Sequence, residues 1–431
     1  MKAHVLASAW RRFWFSPVTP TNLGVARCLF FLGLALFYFP HDFSGWGSVS
    51  PALFQPIWLF DSFGIPVLSE DLLRIVQITW KVALLSSAIG FMTRPSMAIS
   101  AILGTYLLGL GHNFGQTYHF DAILVLAFWI LAFSRAGDAW SVDALRHAAQ
   151  HRDVAGPPPS PEYHWPVQLI LVAFSLVFCA AGIAKLRGSG LQWIFSNHLA
   201  ILLDRVQYHI SDADPVLPWS STVARIPGAA MMMAFSTIFF ESLYPIALFS
   251  RRLRPLFVLG GIFLILGIRA MMGPTFENFL LINFFWVPWD RVGYWIRARM
   301  PSRTSIYVFY DGDCGVCTST IPVLRRLDLL NRVELLDVTR QWKAVSAEFP
   351  MLTRERCLAD MHAVTSDGSV HTGFDAYHAL ARVLPLGWLA RPILHIAAVQ
   401  RLGRRLYRRV ADHRSRSCKI PVATAPPAPL S

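Results

Sequence analysis

Tyr310-Asp311-Gly312-Asp313-Cys314-Gly315-Val316-Cys317 decides how the end of this 431-residue chain is read. The β-branched and aromatic run Ile306 to Phe309 precedes it. After it, Cys317, Ile321, Leu324 and Leu327 or Asp328 recur at helical spacing. Strand, C-x-x-C, helix is the layout of a redox site. Two intervening residues on the first turn of a helix bring both sulfurs within disulfide reach. The helix N-terminus sets partial positive charge and free N–H groups beside the first sulfur, which favours its thiolate. Cys314 is therefore the expected solvent-exposed nucleophile, and Cys317 the thiol that resolves the mixed disulfide.

Working outward, Val333 to Val338 reads as a second strand. Met361 to Thr365 and Val370 to Thr372 read as a hairpin around Asp367-Gly368, whose turn needs a positive φ. Helices from Asp375 to Val383 and from Trp388 to Tyr407 would cover the sheet, and Pro322 would kink the helix after the cysteines. Residues 304–416 thus make a small α/β domain in thioredoxin-like order, with 299–303 as linker and 417–431 as a Pro/Ala-rich disordered tail. C-x-x-C is also half of a zinc site. The remaining ligands would come from Cys357, His362 and His371 without a second C-x-x-C, so the strand before and helix after favour redox chemistry and no metal. Asp311 is placed either to accept a proton during exchange or to orient the turn, and Asp313 has the residue type of an N-cap. Cys28, Cys179 and Cys357 read as packing residues, and Cys418 lies in the tail.

Upstream the composition changes character. The chain is 54% hydrophobic and only 15% charged, with 31 Phe and 15 Trp, too apolar for an ordinary soluble protein of this length. That excess lies before residue 296. Apolar runs at residues 23–40, 72–92, 96–111, 119–134, 165–184, 228–249, 255–272 and 277–295 each approach the roughly 17 to 25 residues needed to cross a bilayer. Residues 1–298 therefore read as an α-helical polytopic membrane bundle of about eight spans, the first of them uncleaved. Arg11 and Arg12, Arg94, Arg135 with Arg146 and Arg152, Arg251 with Arg252 and Arg254, and Arg297 with Arg299 fall in alternate connections. The loop from His41 to Asp71 has four carboxylates and no Lys or Arg. By the positive-inside rule, an even number of spans places both termini and the redox domain in the cytoplasm. There a mostly reduced, cycling dithiol is expected. The net charge of +13 fits cytoplasmic retention or contact with anionic lipid. The basic tail has no interleaved aromatic platform, so the bilayer and a protein thiol or disulfide are the expected partners, not nucleic acid.

Asp311, Cys314 and Cys317 stand in an Asp-x-x-Cys-x-x-Cys signature. With Asp367-Gly368, the segment Gly373 to Leu380, Pro385 and Tyr407-Arg408-Arg409-Val410-Ala411, they make the C-terminal domain resemble the DCC or DUF393 thiol-disulfide oxidoreductases. The resemblance implies a thioredoxin-like fold and protein-disulfide reductase activity with Cys314, Cys317 and Asp311 at the site and no cofactor required. His413 departs from the family, which has Asn there, and no proline precedes Met361, so docking on a cis-proline does not carry over. In the membrane region, Ala180-Ala181-Gly182-Ile183-Ala184-Lys185-Leu186 with Trp193, the stretch Gly111-His112-Asn113 through Tyr118-His119-Phe120-Asp121, and Trp140-Ser141-Val142-Asp143 resemble vitamin K-dependent gamma-carboxylase and its bacterial HTTM relatives. That resemblance implies a quinone site with Lys185 as base near His119. A lysine at a helix end also snorkels to headgroups. Glu241 and Arg269 within apolar runs suggest a polar interior, an ion pair or a headgroup site, although relatives have His where Arg269 stands. The expected function is a membrane-anchored thiol-disulfide oxidoreductase. The alternatives are a carboxylase-like quinone-dependent enzyme at Lys185 and His119, or a non-catalytic lipid-binding anchor for the redox domain.

Overall fold

The computed structural model describes residues 2–115, 119–206, 219–273, 276–300 and 304–417. The chain divides into two compact units: residues up to Asp143 with Pro157–Trp289, and Ala144–Gly156 with the residues from Asp290 onward.

The first unit is helical. Its principal helices are α1 (Thr21–Tyr38), α2 (Glu70–Ile89), α3 (Thr93–Leu110), α4 (His119–Ala132), α5 (Trp165–Ser189), α6 (Ala229–Leu243) and α7 (Arg254–Met272). Five segments are long and apolar enough to cross a membrane: Thr21–Tyr38, Glu70–Ile89, Thr93–Phe114, Pro161–Ser189 and Arg254–Met272. A sixth is counted if Trp219–Arg225 and α6, bent by 102° at their junction, make one broken span. Among the described residues, five or six segments thus meet the length and composition of a span, where about eight were expected. The 14 residues of α4 rise only about 21 Å against a hydrocarbon core of roughly 30 Å. The run at 277–295 is not one helix. It breaks into Glu277–Leu280, a 3₁₀ turn Leu281–Trp286 and Trp289–Arg299, with Pro288 unable to continue the ladder. Ile282, Phe285 and Trp286 are buried inside the protein, so the apolarity of this run reflects core packing rather than lipid.

Stacked and edge-on rings make that core, with Phe30, Phe31, Trp80 and Phe128 in one cluster and Phe174, Phe178, Tyr244 and Phe279 in another. Leu36, Ile78, Val82 and Leu176 point outward, as lipid-facing side chains do. Helices α5 and α6 cross closely at Gly182, where a Cβ would stand 2.7 Å from the Ser242 backbone nitrogen. One turn beyond that crossing, Lys185 of α5 meets Glu241 of α6.

The second unit is a four-stranded sheet in the order β2-β1-β3-β4, where β1 is Ile306–Tyr310, β2 Val333–Asp337, β3 His362–Thr365 and β4 Val370–Thr372. β1 and β2 run parallel through the crossover helix α8 (Gly315–Leu327), whereas β3 is antiparallel to β1 and to β4. Alternation along β1 builds two cores. Ile306 and Val308 pack with Leu324, Ala376 and Leu380 on one face, and Phe309 packs with Val338, Val345, Phe349 and Cys357 on the other. Helix α9 (Val338–Glu348) follows β2 directly. Gly368 takes φ +83° in the hairpin turn, as the Asp-Gly pair requires. Helix α10 (Phe374–Val383) lies where expected, but the helix expected over 388–407 is two, α11 (Pro385–Leu394) and α12 (Ala397–Ser417). The sheet and its covering helices are the expected α/β, thioredoxin-like arrangement.

Candidate functional site

The C-x-x-C turn is held from below by residues far along the chain. Asp311 Oδ1 accepts from the Asp313 N–H (3.0 Å) and from Thr339 Oγ1 (3.0 Å), and Thr339 Oγ1 in turn accepts from the Gly312 N–H (3.2 Å). Asp337, buried at the end of β2, accepts from the N–H groups of Thr339 (2.9 Å) and Arg340 (3.3 Å) and so caps α9. A Cβ on Gly312 would stand 2.6 Å from Asp337 Cγ, so only glycine lets the turn lie on this carboxylate. Asp311 is thus built into the turn. Asp313 is exposed and is not the N-cap. That position belongs to Cys314, whose N–H donates to the Asp311 carbonyl (3.3 Å) and whose carbonyl accepts from the Thr318 N–H (2.9 Å).

Cys314 and Cys317 are both thiols, one turn apart on α8. Their exposure reverses the expectation. Cys314 is 0% exposed, while Cys317 is half-buried. Cys317 lines a cavity of about 60 Å³ together with Tyr310, Cys357, Met361, Tyr377 and Tyr407. Tyr407 Oη accepts from the Met361 N–H (3.0 Å) and donates to Asp360 (3.3 Å), tying the last helix to the start of β3. Burial pushes the Cys357 thiol up to about 11, so this cysteine stays protonated at neutral pH. Burial first, and then the nearby Asp337 carboxylate, also raise the Tyr310 phenol. Arg326 holds the segment Ala144–Gly156 against α8, donating to the Ala144 carbonyl (2.6 Å) and pairing with Asp153 (3.1 Å). Arg152 of that segment reaches to 3.2 Å from where a Cβ on Gly315 would stand, which brings a positive charge to the C-x-x-C turn.

Of the zinc-ligand candidates, His362 is buried in β3 with Nδ1 on the Asp360 carbonyl (2.9 Å) and Cys357 belongs to the core. Among the described residues, no group of three or more His, Cys, Asp and Glu side chains is placed to hold a metal ion.

In the membrane unit, Lys185 Nζ lies 2.9 and 2.6 Å from the two Glu241 oxygens and 5.9 Å from the Trp193 ring centre. The pair stands between a cavity of about 750 Å³, walled by Met232, Met233, Phe240, Leu256 and Phe263, and a smaller one of about 160 Å³ near Phe178 and Ile265. The side chain of His119 lies outside the described residues. Within them, His112 Nε2 sits 3.3 Å from Asp121. Arg269 donates to the Gly273 carbonyl, and the ion pair anticipated for Glu241 is made with Lys185. Sequence reading missed Thr339 and Asp337, which carry no motif and reach the turn only through the fold, and it gave Tyr407 no contact with β3.

A family model described as the HTTM domain matches residues 15–276, more than half of the chain, and one described as DCC1-like thiol-disulfide oxidoreductase matches residues 308–419. No curated protein and no solved structure matches the chain.

Proposed function

The chain belongs to the HTTM family and ends in a DCC1-like thiol-disulfide oxidoreductase domain, and from this we propose that it is a membrane-anchored oxidoreductase exchanging dithiol for disulfide at Cys314 and Cys317. The observation that carries this reading is the pair itself. Cys314 occupies the N-cap of α8, and Cys317 sits one turn on at the mouth of a cavity. In the reductive direction, one thiolate attacks a sulfur of the partner's disulfide. The partner's S–S bond breaks, its other sulfur leaves as thiolate, and a mixed disulfide forms. The second cysteine, deprotonated, then attacks the mixed disulfide and releases the partner as a dithiol. Two electrons have passed to the partner, and Cys314 and Cys317 are left joined. Because Cys314 is buried, a partner disulfide reaches it only when the cover over it opens, whereas Cys317 is accessible as the fold stands. Asp311 acts through the turn that it organises.

The anchor reading rests on the five or six candidate spans. Span parity does not carry the orientation, since five and six give opposite answers. Arg146 and Arg152, in the segment Ala144–Gly156 that belongs to the same compact unit as the redox domain, support a cytoplasmic side for that unit. The test equilibrates the full chain with glutathione buffers of graded potential, traps thiols by alkylation and counts labels by mass. One two-electron couple is expected, abolished in Cys314→Ser and in Cys317→Ser. A wild-type dithiol that never oxidises across the series would refute exchange. Alkylation of intact cells with permeant and impermeant reagents, read at Cys317, tests the orientation.

A second reading is favoured by the cavity at Lys185. Its apolar walls and single ion pair fit an amphiphile with a long apolar tail and a small polar head, the shape of a lipid-soluble quinone. When bound, such a group would supply redox chemistry within the membrane. The residues would contribute apolar walls for the tail and, from Lys185 and Glu241, hydrogen bonds to the head. Because Glu241 holds Lys185 as an ion pair, a base role for the lysine requires that carboxylate to take up its proton or move away. Hydroquinone binding to the detergent-purified chain, lost in Lys185→Met, is the expected result. Absence of binding to the wild type removes this reading.

A further inference from the structure

The last two helices leave large apolar side chains facing solvent in an ordered pattern. On α11 and just beyond it, Leu389 is 78% exposed, Ile393 57% and Ile396 53%, at spacings of four and three. On α12, Leu402 is 58% exposed, Leu406 51% and Val410 51%, at spacings of four. Each set is therefore a stripe along one helix face. Apart from Val410, which also borders the cavity at Cys317, these side chains lie off the face that packs on the domain. Gly403 lies against the Phe374 ring and Tyr407 bonds the Met361 N–H, so α12 presents a third sector to the protein. Its remaining sector carries Arg401, Arg404, Arg405, Arg408 and Arg409, all exposed, with Arg404 also paired to Asp375 at 3.2 Å.

We propose that α11 and α12 form an interfacial anchor that lies on an anionic bilayer surface, with the apolar stripes in the acyl boundary and the arginines among the headgroups. An apolar stripe beside a dense guanidinium sector is the composition of a helix lying in the membrane plane, and five arginines exclude α12 from spanning. Charge complementarity selects anionic lipid as the occupant. Nucleic acid would use the arginines but would leave the leucines in water. A protein groove would use the leucines but gives the arginines no role. Val410 belongs to the stripe and also lines the cavity at Cys317, so docking sets the mouth of that cavity at the headgroup layer. This last consequence rests on the exchange reading, whereas the docking itself does not.

The test is hydroxyl-radical footprinting of the full wild-type chain in nanodiscs of phosphatidylcholine alone or of phosphatidylcholine with phosphatidylglycerol. Oxidation of Leu389, Ile393, Leu402 and Leu406 is expected to fall several-fold in the anionic discs. The protection should be lost at high salt and in the Arg405→Glu/Arg409→Glu chain, while oxidation of Met361, buried in the core of the domain, stays low as the folding control. Equal protection in both kinds of disc would assign the stripes to protein packing and overturn the proposal, as would equal oxidation in both. The Cys314→Ser chain, footprinted in parallel, must show the same protection, so failure of the exchange reading and failure of the docking are read separately.

Discussion

Gly312→Ala puts the architecture of the redox turn to a quantitative test. The added methyl would stand 2.6 Å from Asp337 Cγ, well inside van der Waals contact. Asp337 is poorly able to give way, because its Oδ1 accepts both the Thr339 and the Arg340 N–H. If the turn holds, the carboxylate is displaced and α9 loses its cap, a cost of about 1 kcal/mol. Overpacking at a buried contact adds about 1–3 kcal/mol. The sum is roughly 2–4 kcal/mol, local to the turn and the first turn of α9. Hydrogen exchange reads it directly, because the Thr339 and Arg340 amides are protected by the bonds at risk. Their exchange in the full chain should accelerate by roughly 30- to 700-fold, while amides of β3 change little. Asp337→Gly in the Gly312→Ala background removes the clash, so the two substitutions together should cost less than the sum of each alone. Exchange rates at Thr339 and Arg340 within twofold of wild type in Gly312→Ala would show that the turn does not lie on Asp337, and the positioning argument for Cys314 would go with it.

Asp311 separates a structural from a chemical role. Asp311→Ala loses two accepted hydrogen bonds, about 2 kcal/mol, and should slow exchange, whereas Asp311→Asn keeps the acceptor oxygen and should stay near wild type in a glutathione exchange assay. Equal loss in both would return proton acceptance to this residue. In the membrane unit, Glu241→Gln or Lys185→Met leaves a buried charge without its partner and should cost about 3–5 kcal/mol, lowering the unfolding midpoint in detergent. Lys185→Met with Glu241→Leu should recover most of it, and a double variant as unstable as either single would refute the ion-pair account. Cys357 predicts a pH window. Its thiol pKa is raised in the folded state from an ordinary 9.0 to about 11, so folding stability is full below pH 9 and falls as pH rises through about 11. Cys357→Ala should flatten that alkaline loss in denaturation curves, and an unchanged pH profile would show that Cys357 is not its source.

Burial of Cys314 changes what activity measurements will report. A thiol that is fully covered exchanges at a rate set partly by opening, so its alkylation should lag that of Cys317. Arg326 and the segment Ala144–Gly156 lie in the same compact unit as α8, with Arg152 reaching the C-x-x-C turn. The redox site therefore includes side chains that no reading of the C-terminal residues alone would have found.

Local rules written in consecutive residues were enough for much of this protein. The alternation in Ile306 to Tyr310, the Asp367-Gly368 turn and the C-x-x-C at the start of an apolar-periodic helix each act within a few residues, and the four-stranded α/β unit follows from them. Glu241 also announced itself, because charge in an apolar run must find a partner, but that the partner is Lys185 was decided by the crossing of α5 and α6. Other properties depend on which distant surfaces meet. The run at 277–295 is as apolar as a span, yet Phe285 and Trp286 are buried against protein, and hydropathy cannot distinguish lipid from a core. Asp313 has the chemistry of a cap, but backbone geometry gave that position to Cys314. Exposure of the two sulfurs was inverted for the same reason: it is a property of everything packed around them, and only the tertiary structure brings Thr339, Asp337, Tyr407 and Arg152 to the turn.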